Sequence, residues 1–442
     1  MSATGVPGAA VGIIHNGQRH TAAAGITNHD HPLPVTADTL FQIGSITKTM
    51  TATVAMRFVE AGRLDLDTPI QHYLPQFQLQ DETAATQATM RHLLTHMGGW
   101  VGDYFENTGA GDDALARYVA KMADLPQQVP LGTLWSYNNA GFSLAGHVLE
   151  AIADKPYETI VQEELFDPLG MTMSFFFPGD VMVHRFAVGH TVIESVDGTR
   201  STTVATPWPL ARSANAAGAV TATVNDMLDY AQFHLQHGRT NEGKQWLQAA
   251  TVDAMQRPLA KAGAMASHVG ISWLLNEING IWTVGHGGAT NGQIAQLLLV
   301  PSRAFALVIL TNANRGRELT RDLSKWALDH FLDLAAPEPL PQPIASEGLQ
   351  PYTGYYQAQL SDVAVSADEQ SLLLQVIPKG GFPEKDSPPG PQPPIARATF
   401  VATDELLLID GPSRGARAEF LRADDGTLAW LRLGGRIHKR QP

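Results

Sequence analysis

The sequence predicts an α+β fold, in which helices flank an antiparallel sheet and form an all-helical region, followed by a small antiparallel β domain. Two observations carry this prediction. Strand-like segments lie at both ends of residues 1–335 with helices between them, so both ends are expected to join one sheet. A Pro-rich linker at 336–343 then precedes a tail, residues 344–442, of short apolar runs separated by turn residues.

The first domain, residues 1–335, opens with a predicted hairpin. A strand at 9–15 is followed by Asn16-Gly17, a dipeptide typical of tight β-turns, and by a second strand that runs to Ala24. Residues 46–61 form the strongest predicted helix, because apolar side chains recur there at every fourth position. The other predicted elements of this domain are helices at 144–152, 224–234 and 319–334 and strands at 282–284, 294–300 and 306–311.

The tail is predicted to be an antiparallel sheet or barrel, with a long mobile loop at 378–394. Its predicted strands cover 372–377, 399–403, 406–410, 418–421 and 428–433. Because prolines make the linker stiff and extended, we expect few contacts between the two domains. The tail is therefore expected to affect access or assembly and not the chemical step.

Composition narrows the possible functions. The chain of 442 residues is 44% hydrophobic and carries a net charge of −13, which disfavours nucleic acid as a partner. It has no cysteine, so disulfides, thiolate catalysis and iron–sulfur clusters are excluded. No signal peptide or membrane span is apparent, so we expect a cytoplasmic protein, although the mature form of an exported protein would look the same.

Ser45 and Lys48 form the first candidate site. They lie three residues apart at the start of the predicted helix and therefore share one helix face. The simplest interpretation is a capping serine with a solvated lysine. In the alternative interpretation, a buried lysine with a depressed pKa takes the proton of the serine hydroxyl. The apolar neighbours of the pair favour this second interpretation.

Two further motifs complete the candidate site. In Tyr137-Asn138-Asn139, the tyrosine would relay protons with a pKa lowered by the lysine, although Tyr-Asn-Asn is also an ordinary turn. His286-Gly287-Gly288 follows a predicted strand end, where glycines let a ligand approach the backbone. The His-rich turn at 28–31 is interpreted as a solvated loop and not as a metal site.

The three motifs occur in the order S-x-x-K, Y-x-N and H-x-G, and in this arrangement the chain resembles the serine β-lactamase and penicillin-binding-protein superfamily. The resemblance is to the class C-like branch, which includes esterases and D-aminopeptidases. Segments that also fit the branch are FQIGSITK at 41–48, LLTHMGG at 93–99, DPLGM at 167–171 and GAVTATVND at 218–226. A β-lactamase/transpeptidase-like fold is implied.

The resemblance also implies roles for the motif residues in an acyl-enzyme mechanism without metal or organic cofactor. Ser45 would be the nucleophile, and Lys48 and Tyr137 the proton-transfer pair. The backbone N–H groups of Ser45 and Ala289 would form the oxyanion hole. Asn139 would position the lysine and the substrate.

His286 would replace the more usual lysine of a K-T-G motif, with Gly288 beside it at the substrate. A neutral imidazole is a weaker anchor for a carboxylate than an ammonium group, which disfavours efficient penicillin hydrolysis. Trp100 and Tyr104 would line an apolar substrate pocket or else pack in the core.

The expected function is therefore that of a serine hydrolase, specifically a carboxylesterase or small-amide hydrolase acting on a small ester, amide or peptide. The alternatives are a D-amino-acid peptidase or weak β-lactamase, and a non-catalytic module that binds penicillin or peptidoglycan peptides. The branch carries a helix before its first strand, but here that strand begins within ten residues of Met1. We therefore expect residues 319–334, the tail or a second subunit of a homo-oligomer to cover the sheet.

Overall fold

A computed structural model describes residues 1, 3–194, 199–342, 344–411 and 413–442. The α-helices are α1 (Thr47–Glu60), α2 (Ile70–Tyr73), α3 (Glu82–Gln87), α4 (Met90–Leu94), α5 (Ala114–Lys121), α6 (Asn139–Ala153), α7 (Tyr157–Val161), α8 (Asp167–Leu169), α9 (Pro178–Val181), α10 (Asn215–Gly218), α11 (Val224–Leu235), α12 (Ala249–Met255), α13 (Gly316–Leu332) and α14 (Ser346–Leu349).

The strands before the linker are β1 (Gly8–His15), β2 (Gln18–Gly25), β3 (Phe41–Gln42), β4 (Ser174–Phe175), β5 (His190–Glu194), β6 (Arg200–Val204), β7 (Thr221–Ala222), β8 (Ala260–Lys261), β9 (His268–Val269), β10 (Leu274–Ile278), β11 (Ile281–Thr290), β12 (Gln293–Val300) and β13 (Phe305–Thr311). The strands after it are β14 (Gly354–Gln357), β15 (Ser361–Ala367), β16 (Leu372–Pro378), β17 (Ala396–Ala402), β18 (Glu405–Leu408), β19 (Arg417–Arg422), β20 (Leu428–Leu433) and β21 (Arg436–Arg440).

The main sheet joins the two ends of the first domain, which we call the body. Its antiparallel order is β2-β1-β13-β12-β11-β10-β9-β8, so β1 lies beside β13 as predicted. One face packs on α13, where Phe305 and Leu307 of the sheet meet Leu328 of the helix. The other face packs on α11, and a Cβ atom at Gly12 would lie 2.9 Å from the side chain of Leu228. This packing confirms the predicted sheet flanked by helices.

The helical region surrounds α1, which is buried over most of its length. Met50 and Val54 are fully buried, and α1 packs against α6, α7 and α10. The predicted helix at 46–61 is therefore confirmed, with a 3₁₀ turn at Gly44–Ile46 leading into it. Because this turn and α1 are held inside the core, the residues they carry have fixed positions.

The tail forms a closed barrel of the eight strands β14–β21, in which the last strand pairs with the first. Its own apolar core includes Val363, Leu374, Phe400, Phe420 and Leu431. The predicted antiparallel β domain is thus confirmed. No helix among the described residues is long and apolar enough to cross a membrane.

Candidate active site

Ser45 and Lys48 lie where the 3₁₀ turn passes into α1. Lys48 Nζ donates hydrogen bonds to Ser45 Oγ at 3.0 Å and to the carbonyl oxygen of Ala217 at 2.5 Å. The lysine is fully buried, and burial lowers its pKa well below the ordinary value. The site therefore contains a hydroxyl beside an amine that is disposed to be neutral.

Tyr137 approaches the same pair from the segment that precedes α6. Lys48 Nζ lies 5.0 Å from the centroid of the Tyr137 ring. Burial raises the pKa of Tyr137, while an interaction with the Ser45 hydroxyl acts in the opposite direction. We predicted that the lysine would lower the pKa of Tyr137, and this prediction is wrong because the pKa is raised. Burial has the largest effect on the phenol, and it also disfavours the positive charge on the lysine.

His96, from the loop after α4, stacks on Tyr137. The ring centroids are 4.3 Å apart, and His96 Nδ1 accepts a hydrogen bond from the backbone N–H of Asn138 at 2.9 Å. Burial lowers its pKa well below the ordinary value. Sequence reasoning missed this residue, although it lies within the LLTHMGG segment that contributed to the resemblance.

His286 lies on β11 and faces Tyr137 at a distance of 6.0 Å between ring centroids. It lies within the strand and not at its end, because β11 continues through the four following residues to Thr290. Its Nδ1 lies 2.6 Å from the carbonyl oxygen of Gly287, so Nδ1 carries the proton and Nε2 is a buried acceptor with no partner among the described residues. Burial lowers the pKa of His286 to about 3, so the imidazole is neutral.

Glycines let β11 approach the turn that carries Ser45. A Cβ atom at Gly44, which has φ +54°, would lie 2.5 Å from the backbone nitrogen of Ala289. A Cβ atom at Gly288 would overlap the carbonyl oxygen of Ile43. The backbone next to Ser45 and the backbone at Ala289 are therefore adjacent, as an oxyanion hole between them requires.

Asn139, the first residue of α6, contacts an unexpected partner. Its Nδ2 donates to Asp103 Oδ1 at 2.7 Å. The prediction that Asn139 holds Lys48 is not met by any hydrogen bond between the described residues, since Ala217 and Ser45 accept those of the lysine. Asn139 instead connects the site to a buried carboxylate.

The barrel reaches this carboxylate through the turn between β20 and β21. Arg436 Nε and Nη2 donate to the two carboxylate oxygens of Asp103 at 3.0 and 3.1 Å. The guanidinium carbon lies 4.6 Å from the centroid of the Tyr137 ring, and the backbone N–H of Tyr137 donates to the carbonyl oxygen of Gly435 at 2.8 Å. The expectation of few contacts between the domains is therefore corrected.

Gly435 makes this approach possible. It has φ +78°, a conformation that favours glycine, and a Cβ atom there would lie 2.6 Å from Met265 Sδ and 3.3 Å from the Trp135 ring. Sequence analysis missed Arg436 and Asp103 because 333 positions separate them and neither belongs to a local motif.

The two predicted aromatic substrate contacts have different environments. Tyr104 lines a small cleft together with Asn139, Ala217 and Pro383 of the barrel. Trp100 is only 1% exposed and packs in the core. Its assignment to the pocket is corrected in favour of the core-packing alternative, because Trp100 belongs to the main hydrophobic core of the body.

A second barrel segment, the loop between β16 and β17, covers this cleft. The Lys385 backbone N–H donates to the Phe105 carbonyl oxygen at 2.7 Å, and the Phe105 and Phe382 rings meet edge to face at 4.9 Å. Lys385 Nζ lies 3.3 Å from a carboxylate oxygen of Glu106. The predicted loop at 378–394 is therefore held against the body.

The comparison with known families covers almost all of the body. Residues 1–330 match the beta-lactamase family. The chain belongs to this family. The resemblance to the serine β-lactamase and penicillin-binding-protein superfamily is thereby confirmed, and its members are serine hydrolases together with some non-catalytic binding proteins.

Similar proteins within the superfamily have several activities. The chain is 32% identical over 361 residues to penicillin-binding protein 4 of Amycolatopsis lactamdurans, covering 80% of this chain and 94% of that one. It is 29% identical over 195 residues to esterase EstB of Burkholderia gladioli, covering 40% and 49%. The crystal structure of SurE matches 100% of this chain and 96% of its own, with 26% identity and a TM-score of 0.75.

A metal centre finds no support in the described part of the chain, where no three His, Asp or Glu side chains are grouped to hold an ion. The structure does bring Ser45, Lys48, Tyr137 and His286 together from three separate segments. This cluster contains a hydroxyl, a buried amine, a phenol and a neutral imidazole, which is a set suited to nucleophilic attack with proton transfer.

Proposed function

We propose that this protein hydrolyses esters and small amides, or transfers their acyl groups, through an acyl-enzyme on Ser45. The observation that carries the proposal is the 3.0 Å contact between Ser45 Oγ and the buried amine of Lys48. Burial lowers the pKa of this amine and so favours its neutral form, which can accept the hydroxyl proton.

In the proposed reaction, Ser45 Oγ attacks the substrate carbonyl carbon while Lys48 takes its proton. The backbone N–H groups of Ser45 and Ala289 stabilise the negative charge that develops on the carbonyl oxygen. As the C–O or C–N bond breaks, Tyr137 donates its phenol proton to the leaving alcohol or amine and takes the proton held by the Lys48 ammonium. Water or another acceptor then attacks the Ser45 ester by the reverse proton path.

The neutral state of His286 supports a preference for uncharged substrates. Since burial lowers its pKa to about 3, this residue supplies no positive charge to anchor a carboxylate at neutral pH. We expect His286→Lys to raise the ratio of nitrocefin to p-nitrophenyl ester turnover by roughly tenfold. A uniform loss on both substrates would show that His286 maintains the strand or the proton path.

Acyl groups from D-amino acids are a second candidate, which the similarity to SurE favours. One crystal structure of SurE contains D-Leu, and it matches 100% of this chain, including the barrel, with 26% identity and a TM-score of 0.74. Matched p-nitroanilides of D-leucine and L-leucine, assayed beside p-nitrophenyl butyrate, separate the two candidates. Preference for the D-leucine compound would place the protein among D-amino-acid peptidases or acyltransferases.

The test of the whole proposal is mass spectrometry after treatment with a fluorophosphonate and, separately, with penicillin. We expect a covalent adduct on Ser45 with the fluorophosphonate and turnover of at least one ester or amide. An adduct on Ser45 without turnover of any ester, amide or β-lactam would favour the non-catalytic binding module. Labelling elsewhere, with Ser45 unmodified, would overturn the proposal.

A further inference from the structure

The C-terminal barrel places a charged residue beside the candidate catalytic pair. Arg436 lies at the start of β21, just after a turn whose Gly435 carbonyl accepts the Tyr137 backbone N–H. About a third of the Arg436 side chain is exposed, and its guanidinium carbon lies 4.6 Å from the Tyr137 ring centroid. Since this ring lies over the Ser45–Lys48 pair, the barrel completes the environment of the body's active site.

We propose that Arg436 is a positioning residue of the catalytic site, whose charge favours the neutral amine of Lys48 that accepts the serine proton and the transient phenolate that Tyr137 forms as it passes a proton on. This inference rests on the proposed function. A cation over the face of a phenol ring stabilises the ring's negative charge more strongly than the neutral phenol. The ion pair with Asp103 fixes the guanidinium in that place, with two hydrogen bonds of 3.0 and 3.1 Å.

Other groups around Tyr137 and Lys48 do not replace this charge. His96 stacks on the tyrosine and His286 faces it, and burial keeps both imidazoles neutral at neutral pH. Asp103 acts against deprotonation, because its negative charge raises the pKa of both Lys48 and Tyr137. Arg317 at the start of α13 and Arg436 are the cations that lower the pKa of Tyr137, and Arg436 has the larger effect.

Asp103 and Arg436 therefore have opposite effects on one proton equilibrium although they form one ion pair. If the ion pair had only a structural role, losing either partner would change activity in the same way. If it acts through its charges, the two losses shift the pKa of the base in opposite directions, because removing the cation raises that pKa and removing the anion lowers it. Activity that needs the unprotonated base is lost as pH falls through that pKa.

The experiment compares kcat/KM as a function of pH in the full-length wild type, Arg436→Met and Asp103→Asn. For Arg436→Met we expect the acidic limb of the kcat/KM profile to move to higher pH by about half a unit or more. For Asp103→Asn we expect the same limb to move to lower pH. The asparagine keeps an oxygen that can accept from Asn139. The rate of fluorophosphonate labelling of Ser45, measured over the same pH range, should follow the same shifts.

The chain offers a matched control on the same strand. Arg440 is also on β21 and also lies over a tyrosine ring, that of Tyr356, at 5.9 Å, but outside the active site. Arg440→Met should leave the acidic limb unchanged. Arg436→Lys keeps the charge and should keep the limb near its wild-type position, with a lower kcat from the lost two-point contact, even if Arg436→Met fails to fold.

Two results would overturn the inference. The first is an acidic limb that stays at its wild-type pH in all three variants: Asp103→Asn, Arg436→Lys, and an Arg436→Met protein that keeps the wild-type Tm. The other is movement of the limb in the same direction for the methionine and asparagine variants. Both leave the proposed function standing as long as wild-type Ser45 is acylated, whereas absence of acylation in the wild type overturns the proposed function itself.

Discussion

The body and the barrel contribute to the candidate site in different ways. The body holds the nucleophile on the 3₁₀ turn before α1 and the proton-transfer groups on α1 and on the segment before α6, all on buried parts of the domain. The barrel has its own core and reaches the site through the turn at Gly434–Gly435, through Arg436 at the start of β21 and through the loop around Lys385. The reacting groups thus lie on buried elements of one domain, and a fixed charge and a cover come from the other.

This difference explains how a domain joined by a Pro-rich linker can still influence catalysis. Contacts that cross between domains need not be near the linker, because β21 is the last strand of the barrel and returns to the body. A division into separate domains therefore does not divide the active site. The predictions below test this comparison from its largest expected effect to its smallest.

Ser45→Ala should have the largest effect, because it removes the proposed nucleophile from the body and changes little packing. We expect hydrolysis to fall at least about ten-thousandfold and fluorophosphonate labelling to disappear. The melting temperature of the variant should stay within a few degrees of that of the wild type. Persistent labelling in the variant would show that the nucleophile lies elsewhere.

Lys48→Ala and Tyr137→Phe should each lower kcat about a thousandfold, since both act on the same proton path. Their effects should not add, and the double variant should be about as active as the worse single one. Additive losses, measured in a double-mutant cycle on one ester, would mean that the two residues serve separate steps.

Buried histidines should make the body sensitive to acid. Burial lowers the pKa of His234 and of His286 to about 3, below the ordinary value of about 6.5, so protonation favours the unfolded chain. Stability is complete above that ordinary value and falls as pH decreases from about 6.5 towards 3, by about 1.4 kcal/mol per unit for each histidine. In urea titrations, the free energy of unfolding of His234→Gln should fall less per pH unit below pH 6 than that of the wild type. Above pH 7, the difference in free energy between the two proteins should not change with pH. An unchanged slope would contradict the assignment.

Lys385→Met should have the smallest effect. The lysine is 60% exposed and its ion pair with Glu106 lies at the cover of the cleft, so the interaction contributes about 1 kcal/mol or less. We expect KM on small esters to change by no more than about threefold with kcat unchanged. Lys379→Met is the matched control, because Lys379 pairs with Asp362 inside the barrel. A large fall in kcat for Lys385→Met alone would mean that the loop belongs to the catalytic machinery.

Much of the fold follows from local sequence patterns. The fourfold apolar spacing of α1, the apolar runs of β12 and β13 and the hairpin at Asn16-Gly17 are short-range signals, and the structure has each of these elements. The barrel strands β14, β15 and β21 were not predicted, because β14 is short and mostly exposed and β21 is rich in charge.

The sequence by itself determined the pairing of Ser45 with Lys48, since the two residues are one helical turn apart and any helix there brings them together. The tertiary structure alone decided the charges around that pair. Burial reversed the expected pKa shift of Tyr137, and it leaves His286 neutral. The contact of Arg436 with Asp103 joins residues 333 positions apart, and no local spacing encodes it. Electrostatic environments depend on burial and on distant neighbours, and only the folded chain defines both.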